Sequence, residues 1–589
     1  MEKLQALRNL MKERGLDAYL IANGDAHNSE YVTKHWRARE WFSGFTGSNG
    51  TVVVTHAEVI LWTDGRYFIQ AEKELAGTGI ALFKMGTPGV PKYHEYLAEV
   101  LPHSGKLGFD GRIMTMKESK ELSEALESKK ITYAYTEDLI GLIWSDRPAL
   151  PAAPAFEHAP RFAGMSSSEK LAAVRTEMAK HDVTTYLAVA LDEVAWLMNI
   201  RGSDIPYAPV VNAYVLITTS AAHVFIDRSK VAVFAANLEA QGFTLHDYDK
   251  LVGFLGDLPA EGKFLCNPDK INIVLVDALP KNMQVKCDLP EDIIMMMKAV
   301  KSEVELTNSR NAYLKESAVL VRFIKWLKET KDISALTEAD TAKELTRLRT
   351  NQPDFLQDAF STIAAYGPNA AQAHYHPGER GSDLKPEGFF LVDTGGNYLD
   401  GTTDTTRTIV VGPLSNEMKR NFTLVLKGYL AIERAIFPKG TKGRQLDALA
   451  RLALWEHGLD FRHGTGHGIG YCLCVHEGPH GMSSKSKVEF EPGMLLSVEP
   501  AFYEADAYGI RTENIVEVYE HSETEYGQFL GFRSLLYCPI DICAIDVKLL
   551  NSDEINQLNG YHQKTYELVS PLLTEDERTW LKEATRPIG

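Results

Sequence analysis

The chain has 589 residues, of which 44% are hydrophobic and 24% are charged, and its formal net charge at pH 7 is −17. The length predicts several domains, and the composition is typical of globular proteins. The negative charge argues against nucleic acid or an anionic membrane surface as the principal partner. Six scattered cysteines without a CxxC pair indicate neither a disulfide framework nor a structural zinc ribbon.

The N-terminal residues MEKLQALRNLMKERG are charged and amphipathic, and they contain no apolar signal core. No uncharged run in the sequence approaches the roughly 18 residues that a transmembrane helix needs. We therefore expect a cytoplasmic protein without a membrane partner.

The first half of the chain contains an internal repeat. KLQALRNLMKERGLDAYLIA begins at Lys3, and KLAAVRTEMAKHDVTTYLAV begins at Lys170. Each copy continues to a tryptophan, Trp41 or Trp196, that is followed six residues later by Gly-Ser. In both copies the apolar spacing predicts a helix and then a buried strand, and the runs TVVVT, VILWT, AYVLIT and HVFID predict further strands. Chance similarity is the alternative, but the preserved spacing favours duplication.

We expect two α/β domains of one type, over residues 1–147 and 161–296, joined by a linker with four prolines. A third unit, over residues 297–589, begins with a predicted helix whose Ser302 and Glu305 form a capping box. Helical stretches then alternate with the strand-like runs FFLVDT, TRTIVV, MLLSVEP and NIVEVY, which is an α+β pattern.

Acidic residues recur at predicted strand ends of the third unit. FFLVDTGGNYLDGTTDTTRTIVV predicts a hairpin in which Asp393 ends the first strand and Asp404 lies in the second. Glu499 follows the apolar run MLLSV. GIRTENIVEV alternates, so that Glu513 shares a face with Arg511. A carboxylate in such a place is unfavourable unless it is paired or binds a cation.

The glycine-rich octet HGTGHGIG adds two histidines. Its glycines make a helix very unfavourable, at about 1 kcal/mol each. As a strand, the octet would place His463, Thr465 and His467 on one face. A dinuclear metal site would explain the acids and His467 together, because four carboxylates balance two divalent cations. The oxygen-rich donor set suits Mn²⁺, and Co²⁺, Zn²⁺ or iron less distinctively.

The ordered motifs LVDTG, TTDTTR, HGTGHGIG, SVEP and RTEN resemble those of the metal-dependent pita-bread peptidases. AYGPNAAQAHYHP around His374 and VHEGP around His476 resemble the aminopeptidase P group in particular, and the repeats resemble the long three-domain cytosolic form. The resemblance implies two creatinase-N-like α/β domains followed by a pita-bread catalytic domain. It also implies a homodimer formed through the catalytic domain.

The implied activity is removal of an N-terminal residue that precedes proline, through attack by a hydroxide held between two metal ions. The resemblance assigns metal binding to Asp393, Asp404, His467, Glu499 and Glu513. It assigns catalytic roles to His374, His463, His476 and Glu499. It assigns substrate binding to His374, His463, His476, Tyr503 and Arg511. The implied partners are peptides with proline in the second position.

Simpler interpretations stay open for several residues. His374, His376 and His480 could be solvated loop histidines, and Tyr503 and Arg511 could be packing and ion-pair residues. Prolidase, which cuts only Xaa-Pro dipeptides, is the nearest alternative activity. A metal-free relative that binds proteins is the second alternative, and the retention of all five ligand types argues against it.

Overall fold

The computed structural model describes residues 2–289 and 291–589, and the chain separates into two compact units. The first unit contains Met1–Glu157, Met165–Pro206 and Val210–Ile294. The second contains His158–Gly164, Tyr207–Pro209 and Met295–Gly589. Both repeats therefore belong to the first unit, and every predicted site residue belongs to the second.

Each repeat forms one six-stranded sheet, and the two sheets have the same strand order. In spatial order, the strands of the first sheet are Ala81–Lys84, Val59–Thr63, Thr51–Thr55, Ala18–Ile21, Lys106–Phe109 and Thr132–Ala134. Those of the second are Phe243–His246, Ala222–Ile226, Ala213–Thr218, Thr185–Ala188, Lys263–Leu265 and Gln284–Lys286. The strand directions also correspond: the three central strands pair antiparallel, and the outer ones add in parallel. The predicted pair of α/β domains of one type is confirmed.

The predicted local elements of the repeats are present. The first helix, Glu2–Arg14, buries Leu7 and Met11, and the strand after it is wholly buried. The other helices of the first repeat are Ala38–Ser43, Phe68–Leu75, Tyr93–Val100, Met116–Leu126 and Leu139–Ile143. Those of the second are Ser167–Lys180, Leu191–Met198, Ala235–Ala240, Leu251–Gly256 and Ile273–Asp277. The proline-rich stretch includes a two-residue strand, Phe156–Glu157, paired with Ile200–Arg201, and a short helix, Pro160–Ala163.

The second unit is a mixed assembly of strands and long helices. Its six-stranded sheet contains, in spatial order, Ile436–Pro438, Gly527–Ser534, Asn514–Thr524, Leu495–Val498, Gly466–Gly468 and Glu477–Met482. Two three-stranded sheets are formed by Phe355–Asp358, Gly396–Tyr398 and Gly401–Thr402, and by Ile363–Tyr366, Phe389–Thr394 and Thr405–Val410. Ala501–Glu504 pairs with Tyr508–Arg511.

Long helices cover these sheets. They are Glu303–Glu329, Glu338–Thr350, Asn416–Glu433, Gly443–Trp455, Ser552–Val569 and Glu575–Ala584, and the shorter helix Ile293–Ala299 precedes them. The predicted capping box is confirmed, since the Ser302 hydroxyl accepts from the Glu305 backbone N–H and the Glu305 carboxylate accepts from that of Ser302. Among the described helices, none is both long enough and apolar enough to cross a membrane.

Candidate metal centre

The first two acids lie on or next to two neighbouring strands. Asp393 lies in Phe389–Thr394 and is opposite Thr406 of Thr405–Val410. Asp404 immediately precedes that second strand, so its predicted position inside the strand is wrong by one residue. The prediction of a simple hairpin is also incomplete, because two short strands in the connection join another sheet.

The other two acids lie where strands end. Glu499 follows Leu495–Val498, and Glu513 lies between Tyr508–Arg511 and Asn514–Thr524. The predicted continuous strand through Glu513 is wrong, because the chain leaves one sheet and joins another at this point. The Glu513 backbone N–H donates to the Thr406 carbonyl at 3.2 Å, which fixes this crossover beside Asp393 and Asp404.

The glycine-rich octet forms only a short strand, Gly466–Gly468, with His467 at its centre. A Cβ on Gly466 would lie 1.8 Å from the Ser497 carbonyl oxygen, so only glycine permits this close approach to the neighbouring strand. His463 and Thr465 lie outside the strand. The Thr465 hydroxyl donates to Asp447 at 2.6 Å, whereas His463 and His467 both approach Glu499. The predicted common face therefore holds for the two histidines and is wrong for Thr465.

The predicted ligands lie close together in a largely buried region. Donor atoms of Asp404, His467 and Glu513 all lie within 4.8 Å of one another. The Nε2 atom of His467 is 3.4 Å from Asp404 Oδ2 and 3.7 Å from Glu499 Oε1. Asp393 Oδ1 is buried and has no hydrogen-bond partner among the described residues.

Burial and the charges of neighbouring acids oppose ionisation of Asp393, Glu499 and Glu513. Burial, with the charge of Asp404 adding to it, raises the pKa of Asp393 to about 6 against the opposing effect of Arg511. Burial likewise raises the pKa of Glu499 to about 7, although His467 and Arg511 oppose it. The pKa of Glu513 is raised well above its usual range by burial and by its three acidic neighbours. A cluster that is this unfavourable for anions suits bound cations.

A hydrogen-bonded chain of side chains leads away from Asp393. Arg511 Nη2 donates to Asp393 Oδ2 at 2.5 Å, and Arg511 Nη1 donates to the Tyr503 hydroxyl at 2.5 Å. The same hydroxyl lies 3.0 Å from His463 Nε2. Burial and the charge of Arg511 lower the pKa of His463 to about 3, so this imidazole is neutral at physiological pH. The guanidinium of Arg511 is thus already ion-paired with a predicted metal ligand.

The remaining histidines occupy different surroundings. The ring of His476 lies edge-on to that of His467, with 4.3 Å between ring centroids. His374 is half-buried in the loop between Ile363–Tyr366 and Phe389–Thr394. His376 is exposed, as the loop interpretation predicts, whereas the interpretation of His480 as a solvated residue is wrong. His480 is buried under Gly468, its Nε2 bonds to the Leu495 carbonyl at 2.8 Å, and burial lowers its pKa to about 3.

Sequence reasoning missed Thr406, whose hydroxyl donates to Glu513 Oε2 at 2.7 Å and accepts from Arg511 Nε at 3.0 Å. The signal was available in TTDTTR, because residues 404 and 406 share one side of an extended chain. Glu338 was missed as well, because it belongs to no motif.

The donor set fits a pair of divalent cations. Four carboxylates and one imidazole surround a largely buried region. Asp393 Oδ1 in it is buried and has no hydrogen-bond partner among the described residues. Buried carboxylates that lie together without matching cationic side chains are stable only when they are protonated or bind metal.

Comparison with known families covers nearly the whole chain. The model of metallopeptidase family M24 matches residues 307–520, and the model of its C-terminal region matches residues 528–588. Two models of creatinase/prolidase N-terminal domains match residues 3–140 and 146–305. The fold is therefore two creatinase N-terminal domains followed by a pita-bread domain, as predicted.

Individual relatives extend over the full length. Aminopeptidase P2 of Arabidopsis thaliana is 38% identical across 100% of this chain and 88% of its own. A probable Xaa-Pro aminopeptidase P of Talaromyces marneffei is 38% identical across 100% of this chain and 92% of its own.

Solved structures separate a close relative from distant ones. The X-prolyl aminopeptidase of Caenorhabditis elegans, described as a cytosolic enzyme with a di-nuclear active site, is 35% identical. It superposes with a TM-score of 0.94 over 100% of this chain and 99% of its own. The prolidase of Pyrococcus horikoshii covers only 64% of this chain, at 23% identity and a TM-score of 0.51, and shares the fold alone. The chain therefore belongs to metallopeptidase family M24 and, within it, to the aminopeptidase P group.

Proposed function

We propose that this protein is an Xaa-Pro aminopeptidase that removes the N-terminal residue of peptides with proline in the second position. The observation that carries the proposal is the convergence of four carboxylates, three of them buried, and His467 in a chain similar over its full length to Xaa-Pro aminopeptidases. The close superposition with the C. elegans enzyme over the whole chain favours this activity over that of a prolidase.

Five residues would hold two divalent metal ions: Asp393, Asp404, His467, Glu499 and Glu513. Bound there, the ions would make a water molecule acidic enough to attack at neutral pH and would stabilise negative charge on the carbonyl oxygen. We favour Mn²⁺ because four of the five ligands provide oxygen, and Zn²⁺ or Co²⁺ is the alternative.

The substrate bond sets the demands on the pocket. A bond to proline nitrogen has no N–H, so the pocket needs no acceptor for that position. Glu499, whose carboxylate lies 3.7 Å from His467 Nε2, would take the proton of the attacking water and pass it to the leaving nitrogen. His374 and His476 would donate hydrogen bonds to the carbonyl oxygen as charge develops on it.

The proline side of the pocket would be formed by His463, Tyr503 and Arg511. These three side chains are joined by direct hydrogen bonds, and Arg511 also holds Asp393. Arg511 would therefore orient a metal ligand as well as shape the pocket. Tyr503, which contacts both Arg511 and His463, would in turn fix the orientation of the neutral His463 ring.

We also propose a homodimer that forms through the catalytic unit. Leu449, Leu452 and Trp455 lie three residues apart on helix Gly443–Trp455, and their exposed fractions are 38%, 52% and 48%. Three large apolar side chains on one helix face are typical of a surface that another protein covers. A cytosolic location is supported by the description of the C. elegans enzyme.

The proposed activity is tested with a tripeptide Xaa-Pro-Yaa, an Xaa-Ala-Yaa control and the dipeptide Xaa-Pro, first in chelator and then with Mn²⁺ restored. Metal-dependent release of the N-terminal residue from the proline tripeptide, without cleavage of the alanine control, is the expected result. Cleavage of the dipeptide alone would identify a prolidase. Absence of cleavage with two metal ions bound would reject the substrate assignment.

A further inference from the structure

Glu338 is the first residue of helix Glu338–Thr350, and its side chain is completely buried. The carboxylate accepts hydrogen bonds from four donors in one loop. Oε1 accepts from the Tyr366 backbone N–H at 2.7 Å, and Oε2 accepts from the Tyr375 hydroxyl at 2.7 Å and the Ser382 backbone N–H at 2.6 Å. The Asn369 side-chain amide lies 3.1 Å from both oxygens.

These donors belong to residues 366–382, here called the His374 loop, because His374 lies at its middle. The loop begins where strand Ile363–Tyr366 ends, and Ile363 of that strand is opposite Asp393. A Cβ on Gly509 would lie 1.8 Å from the Ala370 carbonyl oxygen, so strand Tyr508–Arg511 lies directly against the loop. The His374 loop is therefore fixed beside two strands that carry predicted site residues.

The Glu338 carboxylate is stabilised by uncharged hydrogen-bond donors and not by a cationic side chain. Within the described part of the chain, the donors to its carboxylate are uncharged, and none belongs to a lysine, arginine or histidine. A buried carboxylate without a cation is stable only when several donors point at it. Its position in the first helical turn adds a favourable interaction with the helix dipole.

Backbone hydrogen bonds also attach the start of helix Glu338–Thr350 to the end of the His374 loop. The N–H groups of Glu338 and Ala339 donate to the carbonyls of Ser382 and Arg380 at 3.0 and 3.1 Å. Gly381 has a φ of +68°, and a Cβ there would lie 2.4 Å from Glu338 Oε2. The two ends of the loop are therefore both tied to one carboxylate, and glycine is needed where the loop passes it.

We propose that Glu338 is a positioning residue that holds the His374 loop in the conformation that presents His374 to the substrate carbonyl. The inference rests on the proposed function, in which His374 stabilises developing charge. A glutamine at this position offers one acceptor oxygen instead of two. It cannot accept from the N–H groups of both Tyr366 and Ser382, so one end of the loop must detach.

The first test compares Glu338→Gln with a matched control, Glu344→Gln. Glu344 lies on the same helix and pairs with Arg347 instead of the loop. With metal content verified, we expect Glu338→Gln to lower kcat for the proline tripeptide by about 10- to 100-fold with little change in KM. Backbone hydrogen exchange should rise within residues 366–382 only. Glu344→Gln should behave as the wild type in both measurements.

Gly381→Ala gives an independent test, because it keeps the carboxylate and obstructs its contact with the loop. It should reproduce the loss of kcat and the faster exchange even if Glu338→Gln folds poorly. Wild-type kcat in a folded Glu338→Gln or Gly381→Ala enzyme, or unchanged exchange in the loop, would overturn the proposal.

A double-mutant cycle separates positioning from general stability. If Glu338 acts through His374, adding Glu338→Gln to His374→Ala should lower kcat no further than His374→Ala alone. Additive losses would overturn the proposal. A wild-type kcat in His374→Ala would instead remove His374 from the proposed mechanism and the positioning role with it. If the wild-type enzyme cleaves no proline peptide, the proposed function fails, and the exchange measurement alone still decides whether Glu338 orders the loop.

Discussion

Two groups of acids in this chain, one taken from each unit, have different surroundings. In the first unit, Asp204 is almost completely buried beside Lys230, whose ammonium group donates to Asp204 Oδ2 at 2.5 Å. In the second, Asp393, Asp404 and Glu513 are buried near one another and beside the partly buried Glu499. Arg511 is the cationic side chain that pairs with Asp393. A matched buried pair leaves no uncompensated charge, whereas an excess of buried acids destabilises a fold and so indicates a binding site.

The largest expected effect comes from removing an acid of the unmatched cluster. We expect Asp404→Asn or Glu513→Gln to bind less metal and to lose about three orders of magnitude or more in kcat/KM, because each removes one of the oxygen donors that would hold the metal ions. Metal analysis and tripeptide assays measure this. Asp400→Asn is the control, since Asp400 pairs with Lys315 at 2.7 Å in the same unit. Equal losses of bound metal and kcat/KM in Asp400→Asn would contradict the distinction between matched and unmatched acids.

The opposite outcome is expected for the matched pair. Asp204→Asn leaves the buried Lys230 without its counter-ion, and we expect a loss of about 3–5 kcal/mol in the free energy of unfolding. Denaturant unfolding would measure this loss, and the folded variant should keep the wild-type kcat. A loss of turnover at unchanged stability would show that the first unit's pair is not purely structural.

Removal of metal by a chelator should destabilise the enzyme, and by an amount that depends on pH. The raised pKa values of Asp393 and Glu499 mean that the folded metal-free state binds more protons than the unfolded chain between about pH 4 and pH 7. The stability from these groups is therefore present at low pH and is lost as pH rises through that window. We expect chelator to lower Tm more at about pH 8 than at about pH 5. Equal shifts after verified metal loss would argue against clustered carboxylates.

Proton release on metal binding is the smallest and most specific expected effect. Because cations bind the ionised carboxylates, binding at about pH 6 should release protons from Asp393 and Glu499, and release from these two should decline as pH rises past about 7. Calorimetry in buffers of different ionisation enthalpy measures it. Release that does not vary with pH over this range would show that these acids are already ionised without metal.

Much of the fold could be predicted from sequence periodicity. TVVVT and AYVLIT became strands because β-branched, apolar runs pack well inside a sheet, and Ser302 began a helix because it caps one. The break at Glu513 could not be predicted, because alternation is a local signal and a change of sheet depends on which distant strand offers hydrogen bonds.

The site was predictable in composition but not in geometry. Motif order selected five candidate ligands, yet only the folded chain shows that Arg511 pairs with Asp393 and that His480 is enclosed beneath Gly468. Glu338 gave no signal, because an acid in the first turn of a helix has an ordinary local explanation. Its role depends on a loop that lies about 30 residues further along the chain.

The most direct test of this account is titration of Mn²⁺ into the metal-free enzyme, with bound metal and cleavage of Xaa-Pro-Yaa followed together. We predict that two ions bind per chain and that activity reaches its maximum as the second site fills. Full activity with one ion bound or with none, or two ions bound by an Asp404→Asn, Glu513→Gln double variant, would contradict the claim that the unmatched carboxylates form a dinuclear catalytic centre.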